Sequence, residues 1–345
     1  MRAVIADGPG RVRVAEVPDA TLREPGDAVV RVTRSAICGS DLHFLHGKAP
    51  IEPGEVLGHE AVGVVEALGA DVRNFRPGDR VVVAFDIACG ACWFCERGQT
   101  SLCEDFRNLG AGAFGGGLPG AQADLVTIPV ADVNLLAVPE DVDDEHALFV
   151  GDVLTTGLYA ASLAPVGPGT TVAVIGVGPV GAFAIQAARA MGAEVFGVDR
   201  EPARLALAGA AGAEPIDATA VHAPMTIAAR TGDRGADVVI EAVGAPDAYA
   251  AAVESVRRGG VVVVVGMYAG ETVELQLGVT WARAITLRFA GICPVHAWWE
   301  RAMEGVRDGT FDPMPLISHR LSLADAAEGY GLFDRREATK VVLVP

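Results

Sequence analysis

Three groups of residues in this chain have the types and spacing to do chemistry. The first runs Cys38-Gly39-Ser40-Asp41-Leu42-His43, continues through a polar loop, and ends Gly58-His59-Glu60. A thiolate and a neutral imidazole brought together from two segments are ligands that a zinc ion prefers. The competing reading is a buried thiol beside an ordinary hydrogen-bonded histidine, and Cys38 and His59 alone do not decide between the two.

The second group is Cys89, Cys92, Cys95 and Cys103, with two, two and seven residues between successive cysteines. The tight spacings reverse the backbone around one tetrahedral ion and the longer one closes the cage. Four thiolates leave no position for water or substrate. Such an ion is structural, and its binding energy acts as folding energy for a lobe with little apolar core. Free thiols or an iron–sulfur cluster are the alternatives to zinc here.

The third group is Gly176-Val177-Gly178-Pro179-Val180-Gly181, a Gly-x-Gly-x-x-Gly pattern. By itself this pattern is weak, but its surroundings match a dinucleotide site. The β-branched run Thr171–Ile175 precedes it, an alanine-rich helix with Pro179 in its first turn follows, and a second apolar run, 195–198, ends at Asp199. Gly176 permits a tight turn, Gly178 lets backbone approach a pyrophosphate, and Gly181 lets helix and strand pack closely. Asp199 is placed to accept from the ribose hydroxyls and to repel a 2′-phosphate, which favours NAD over NADP. Arg200 is the residue that would pair with that phosphate if Asp199 turned away.

Composition limits what these groups can serve. The chain has 345 residues, more than one core usually covers, so two domains are expected. Hydrophobic residues make up 51% and charged residues 21%, which describes a globular protein rather than a disordered one. A formal charge of −17 argues against nucleic acid as partner. Met1 to Ala6 runs into Gly8-Pro9-Gly10 too early for a secretion signal, so the expectation is a cytoplasmic protein in which clustered cysteines bind metal. No Asp, Glu, Lys or Arg occurs between Asp152 and Arg189, yet Pro165, Gly167, Pro168 and Gly169 interrupt the stretch, so no membrane span is expected. Asp152, heading that stretch, needs a partner.

The elements that must hold these groups are of two kinds. Up to about residue 85 the chain alternates short apolar runs with Pro and Gly, which predicts a compact β-rich domain carrying the Cys38 and His59 segments on its loops. From Thr170 onward, strands at 171–175, 195–198, 236–243, 260–266 and 287–292 alternate with helices, including one over 246–258. That predicts an open, doubly wound parallel sheet of about six strands, a Rossmann α/β fold. The closing strand 340–344 suits the β-rich domain. The expected division is 1–152 with 293–345, carrying a lobe at about 86–104, against 153–292. His46, His146, His222, His296 and His319 have no spacing partner and read as ordinary histidines. Cys293 reads as a buried thiol, and Phe85 and Phe114 either line a pocket or serve packing.

Together these motifs, in this order, resemble the zinc-dependent medium-chain alcohol dehydrogenases over essentially the whole chain. The resemblance implies a GroES-like catalytic domain, two zinc ions per chain, NAD, and hydride transfer between a secondary alcohol or polyol and its carbonyl partner. It implies that Cys38 and His59 are catalytic zinc ligands, with Glu60 either a ligand or just behind the metal. The position of a third ligand, a cysteine in many relatives, is taken by Asp152, as in the bacterial secondary alcohol dehydrogenases. An open zinc site acts as a Lewis acid on an alcohol. Ser40 is placed to take the alcohol's proton and His43 to pass it on through the cofactor ribose, while Asp41 orients His59. Gly176, Gly178, Pro179, Val180, Gly181, Asp199, Arg200 and Thr156 are the expected cofactor contacts. Oxidation of an aldehyde adduct, as formaldehyde-type members perform, and a non-catalytic NAD-binding sensor are the competing functions. The family further implies a homodimer through residues 287–292, possibly doubled to a tetramer.

Overall fold

A computed structural model describes residues 1–270 and 272–345. The chain divides into two units, Met1–Thr155 with Pro294–Pro345, and Thr156–Cys293.

The first unit is organised on the ten-residue strand Ala28–Ile37, whose β-branched residues bury Val30 and Val32 on one face. Among the described residues its sheet runs, edge to edge, His319–Ser322, Val341–Val344, Ala28–Ile37, Glu60–Leu68, Arg80–Val83 and Leu135–Ala137, with Leu125–Ile128 also paired to Ala28–Ile37. Two registers matter most. Val341 lies opposite Ile37, and Ala36 lies opposite Glu60. They bring Lys340, Cys38 and Glu60 to the same end of three neighbouring strands. Val30, Val65, Val81, Val83, Ile87 and Leu109 fill the core beneath, each buried aliphatic side chain contributing roughly 1.5–3 kcal/mol.

Cys38 and His59 both lie between regular elements, as expected, but the segment that follows Cys38 is a helix rather than a loop. Cys38 is the residue that caps a short helix, Gly39–Leu45. Asp41 makes that start possible, because its Oδ2 accepts from the Cys38 backbone N–H at 3.0 Å. Seven residues are too few for a helical period to stand out in sequence. His59 directly precedes the strand Glu60–Leu68.

The second unit is a parallel sheet flanked by helices. Among the described residues its six strands run Glu214–Asp217, Glu194–Asp199, Thr171–Ile175, Ala236–Glu241, Val256–Val264 and Thr286–Phe289. The first strand in sequence lies at the centre and the order reverses beside it, the doubly wound arrangement. Glu214–Asp217 carries no sequence signal, since it is four residues long and contains Pro215, which only an edge strand tolerates. The helix expected over 246–258 ends at Ser255, and Val256 already begins the next strand.

The glycines of the 176–181 loop differ in what they do for the fold. A Cβ at Gly181 would lie 1.9 Å from the Gly176 carbonyl oxygen, whereas one at Gly178 meets no atom within 4 Å. Gly181→Ala is therefore expected to cost about 2 kcal/mol or more. Gly178→Ala, in the capping position, should cost less than about 1 kcal/mol. Melting curves of the two variants check this, and equal losses would contradict it.

Candidate functional site

In the first unit Cys38, His59, Glu60 and Asp152 each offer one ligand-type atom, all within 4.8 Å of one another. The Cys38 Sγ lies 3.7 Å from Asp152 Oδ2, and His59 Nε2 lies 3.4 Å from the same oxygen. An ion held at about 2.0–2.3 Å by nitrogen, oxygen and sulfur donors has tetrahedral edges of about 3.3–3.8 Å, so the spacing fits zinc. His59, Glu60 and Asp152 are buried, and Cys38 is half-buried.

Each ligand-type residue is placed by a backbone feature. Cys38 follows the long central strand, and Glu60 opens its neighbour. Asp152 follows the turn Phe149–Gly151, where a Cβ on Gly151 would lie 2.4 Å from the Val83 carbonyl oxygen. Only glycine lets the chain pass that close to the Arg80–Val83 strand and set Asp152 beside Cys38.

His59 is oriented from behind. Asp41 Oδ1 lies 3.3 Å from His59 Nδ1, and Asp41 Oδ2 also accepts from Gln122 Nε2 at 3.2 Å. Gln122 Oε1 in turn accepts from the Tyr330 hydroxyl at 2.8 Å. With Nδ1 turned to a carboxylate, Nε2 faces the cluster as a ligand would. Phe85 packs edge-on against the ring at 6.1 Å. Phe114 is exposed.

Glu60 is the member whose surroundings the sequence does not reveal. Its Oε1 accepts from the Lys340 ammonium, and both side chains are fully buried. Its Oε2 is buried without a hydrogen-bond partner among the described residues. Burial raises the Cys38 pKa and the Glu60 pKa, and the nearby Asp152 carboxylate raises both further. For His59 burial works against the charge, but Asp41, Cys38 and Asp152 outweigh it and lift its pKa well above the usual histidine value. Burial is the first cause of the shifts at Cys38 and Glu60 and the neighbouring carboxylate adds to it, so a bound cation would favour the ionised forms of both groups.

Ser40 Oγ lies 3.3 Å from His59 Nε2, and His43 follows three residues later on the same face of the Gly39–Leu45 helix. Both are half-buried.

The four-cysteine lobe fits one ion as well. Sγ separations are 3.5 Å for Cys92–Cys95 and 4.0 Å for both Cys89–Cys95 and Cys92–Cys103. Four thiolates this close surround a single centre, whereas a multi-iron cluster would spread them further apart.

In the second unit Gly178 caps the helix Pro179–Ala190 with Pro179 in its first turn. The helix start and the open space at Gly178 suit an anionic phosphate. Asp199 ends the neighbouring strand, and its carboxylate accepts from the backbone N–H groups of Val177 at 2.7 Å, Arg200 at 2.7 Å and Glu201 at 3.0 Å. The Arg200 guanidinium is bound to Asp247 at 2.7 Å. Glu241, ending the central strand Ala236–Glu241, accepts from Val243 N at 2.7 Å, Gly244 N at 2.9 Å and the Tyr268 hydroxyl at 3.0 Å. It thereby fixes the loop against which Gly176 packs. Thr156 lies in the helix Val153–Ser162 and Val180 beside Pro179.

Sequence reasoning missed Lys340, Gln122, Tyr330 and Glu241. None of them has a local signal; Lys340 emerges only once the closing strand is paired with Ala28–Ile37, which puts it next to Cys38.

Comparison with known proteins agrees with this architecture. Residues 24–140 match the alcohol dehydrogenase GroES-like domain and residues 179–306 match the zinc-binding dehydrogenase domain. The chain is 42% identical over 332 residues to a probable zinc-binding alcohol dehydrogenase of Mycobacterium tuberculosis, covering 96% of this chain and 84% of that protein. It is 33% identical to a glutathione-independent formaldehyde dehydrogenase of Pseudomonas aeruginosa, covering 100% of this chain and 97% of that protein. Among solved structures, an alcohol dehydrogenase from Thermus sp. ATN1 superposes with a TM-score of 0.95 at 43% identity, covering 100% of this chain and 99% of that one. The chain belongs to the zinc-dependent medium-chain alcohol dehydrogenase family, and its activity is that of a zinc-dependent alcohol dehydrogenase. Among the described residues no helix is long and apolar enough to cross a membrane.

The Glu60–Lys340 pair gives a direct test of the site's electrostatics. Lys340→Met leaves a buried carboxylate without its counter-charge and should cost about 3 kcal/mol. Adding Glu60→Gln should recover part of that loss. Thermal unfolding of both variants in the same metal-loaded state checks it, and an unchanged melting temperature for Lys340→Met would contradict it.

Proposed function

We propose that this enzyme interconverts a secondary alcohol or polyol and its carbonyl product with NAD, and that each chain holds two zinc ions. The catalytic ion is assigned to Cys38, His59 and Asp152, and the structural ion to Cys89, Cys92, Cys95 and Cys103. The observation that carries this reading is the convergence of a thiol, an imidazole and a carboxylate at tetrahedral spacing in a buried pocket of excess negative charge.

When bound, the zinc supplies a Lewis acid that favours ionisation of the alcohol, and the nicotinamide supplies the hydride acceptor. Three protein ligands leave a fourth position for the substrate. Asp152 would supply a harder donor than a thiolate, and a zinc held by it would be the stronger Lewis acid. Ser40, in contact with His59, takes the alcohol's proton, and His43 carries it onward. Asp41 holds His59 in the ligating tautomer. Glu60, tied to Lys340 through one oxygen, stands behind the three ligands with its other oxygen without a hydrogen-bond partner among the described residues.

For the cofactor, Gly176, Gly178, Pro179, Val180 and Gly181 receive the pyrophosphate, with Thr156 a further contact. Asp199 selects NAD by its negative charge. The engagement of Arg200 with Asp247, away from Asp199, supports that choice over NADP. A second reading, oxidation of an aldehyde adduct, is supported by the formaldehyde dehydrogenase relative. The intact ligand set argues against a non-catalytic NAD-binding sensor, which has no need of an open metal position. Phe289 is exposed on Thr286–Phe289, the end strand of the parallel sheet among the described residues, and Trp281 is exposed on the helix just before it, which supports a homodimer built on that edge. Cysteines clustered to hold a metal rather than to form disulfides suit a cytoplasmic protein.

Asp152→Ala is expected to lose one of two zinc ions and to lower turnover by roughly two orders of magnitude or more while the fold persists. Metal analysis alongside kinetics checks this, and unaltered turnover would remove Asp152 from the site. A panel of secondary alcohols, polyols and thiol–aldehyde adducts, assayed with both cofactors, tests the rest. Secondary alcohols or polyols with NAD should give the highest kcat/KM; a clear NADP preference would refute the role given to Asp199, and turnover confined to the adducts would favour the second reading.

A further inference from the structure

His296 reads in sequence as an ordinary histidine, yet it is buried at the meeting point of three distant segments. Asn134 fixes its chemical state. The Asn134 amide nitrogen donates to the carbonyls of Ala88 at 3.0 Å and Pro129 at 2.9 Å, so its Oδ1 is the acceptor for Ala88 N at 2.9 Å. The same Oδ1 lies 2.8 Å from His296 Nε2, which must therefore carry the proton. Nδ1 is left as an acceptor and takes the Thr100 hydroxyl at 2.9 Å. The ring is neutral, in keeping with burial, which lowers the His296 pKa to about 4. It packs against Trp299 at 5.0 Å. Asp86, whose Oδ1 lies 3.9 Å from Nδ1, is pushed up to about 8 by burial.

The partners belong to different parts of the unit. Thr100 opens the turn Thr100–Leu102, inside the loop between Cys95 and Cys103. Ala88 immediately precedes Cys89, and Asn134 ends the short helix Ala131–Asn134. Asn134 thus grips the entry to the cysteine lobe, and His296 extends that grip to its far loop. Apolar packing offers the lobe little else, for Trp93 and Leu102 are more than half exposed and only Cys103 of the four cysteines is buried.

We propose that His296 is a positioning residue that latches the four-cysteine lobe to the body of the β-rich unit through Thr100 and Asn134, and that this latch sets how slowly the lobe opens and releases its ion. The proposal rests on the reading that the lobe holds a metal, which a metal count on the wild-type protein tests separately.

The experiment compares zinc-loaded, full-length wild type with Thr100→Val, His296→Phe, the double variant and His296→Gln. It measures amide hydrogen exchange in residues 89–103 and the rate at which a chelator removes the more slowly released zinc. Thr100→Val should speed both processes about tenfold, the scale of one lost buried hydrogen bond, and His296→Phe, which removes two, by at least as much. The double variant should be little faster than His296→Phe, since that change already removes the bond to Thr100. Glutamine offers a donor and an acceptor in place of the two ring nitrogens, so His296→Gln should return toward the wild-type rates. Exchange in Ala28–Ile37 should stay unchanged. Wild-type exchange rates in both single variants, or acceleration spread evenly through the unit, would overturn the proposal. If His296→Phe fails to fold, Thr100→Val decides; if the lobe holds no metal, the exchange arm still decides.

Discussion

A thiol, two carboxylates and an imidazole are held within 4.8 Å of one another in a largely dry pocket. If Cys38, Glu60 and Asp152 are ionised, Lys340 balances only one of their three negative charges, and Asp41 adds another just behind His59. Such a cluster is not stable by its own contacts, because each anion pays for desolvation and repels the next. A divalent cation removes the conflict. Much of the β-rich unit can be understood as the scaffold that enforces this crowding: two strand registers that align Cys38, Glu60 and Lys340, a glycine that lets Asp152 approach, and an Asp41–Gln122–Tyr330 chain that fixes the imidazole.

What was legible in the sequence and what was not follows the range of the interactions. The cysteine lobe and the glycine loop are local motifs, with spacing that carries its own geometry, and the parallel-sheet fold follows from runs of Val and Ile between helices. Asp152 has no local signature. It enters the site because Gly151 crosses the Arg80–Val83 strand, so the sequence points to it only through family resemblance. Lys340 is still further removed, since a lysine at the start of a terminal strand looks like a solvent-facing residue until the strand's pairing partner is known. His296, Gln122 and Tyr330 likewise acquire roles only from long-range contacts. The short helix at Cys38 and the strand Glu214–Asp217 escaped for a different reason, being too brief for periodicity to register.

The two units divide the chemical tasks. The parallel unit offers backbone N–H groups at a helix start, a glycine with open space above it and an acidic residue at the end of the neighbouring strand, all consequences of the order reversal beside Thr171–Ile175. The β-rich unit offers a metal-type ligand set and a hydroxyl within reach of it. If Asp152 ligates the ion, the ligand set is harder than one with a thiolate in that place, and the pull on a bound substrate oxygen rises with it.

The central claim is that the Cys38, His59 and Asp152 cluster exists to hold a zinc ion. Anomalous diffraction from crystals of the protein at the zinc absorption edge tests it most directly. The account predicts two peaks per chain, one among Cys89, Cys92, Cys95 and Cys103, and one within ligand distance of Cys38 Sγ, His59 Nε2 and an Asp152 oxygen, with Glu60 still paired to Lys340. A single peak in the cysteine lobe, with the Cys38 pocket empty in catalytically active protein, would contradict it.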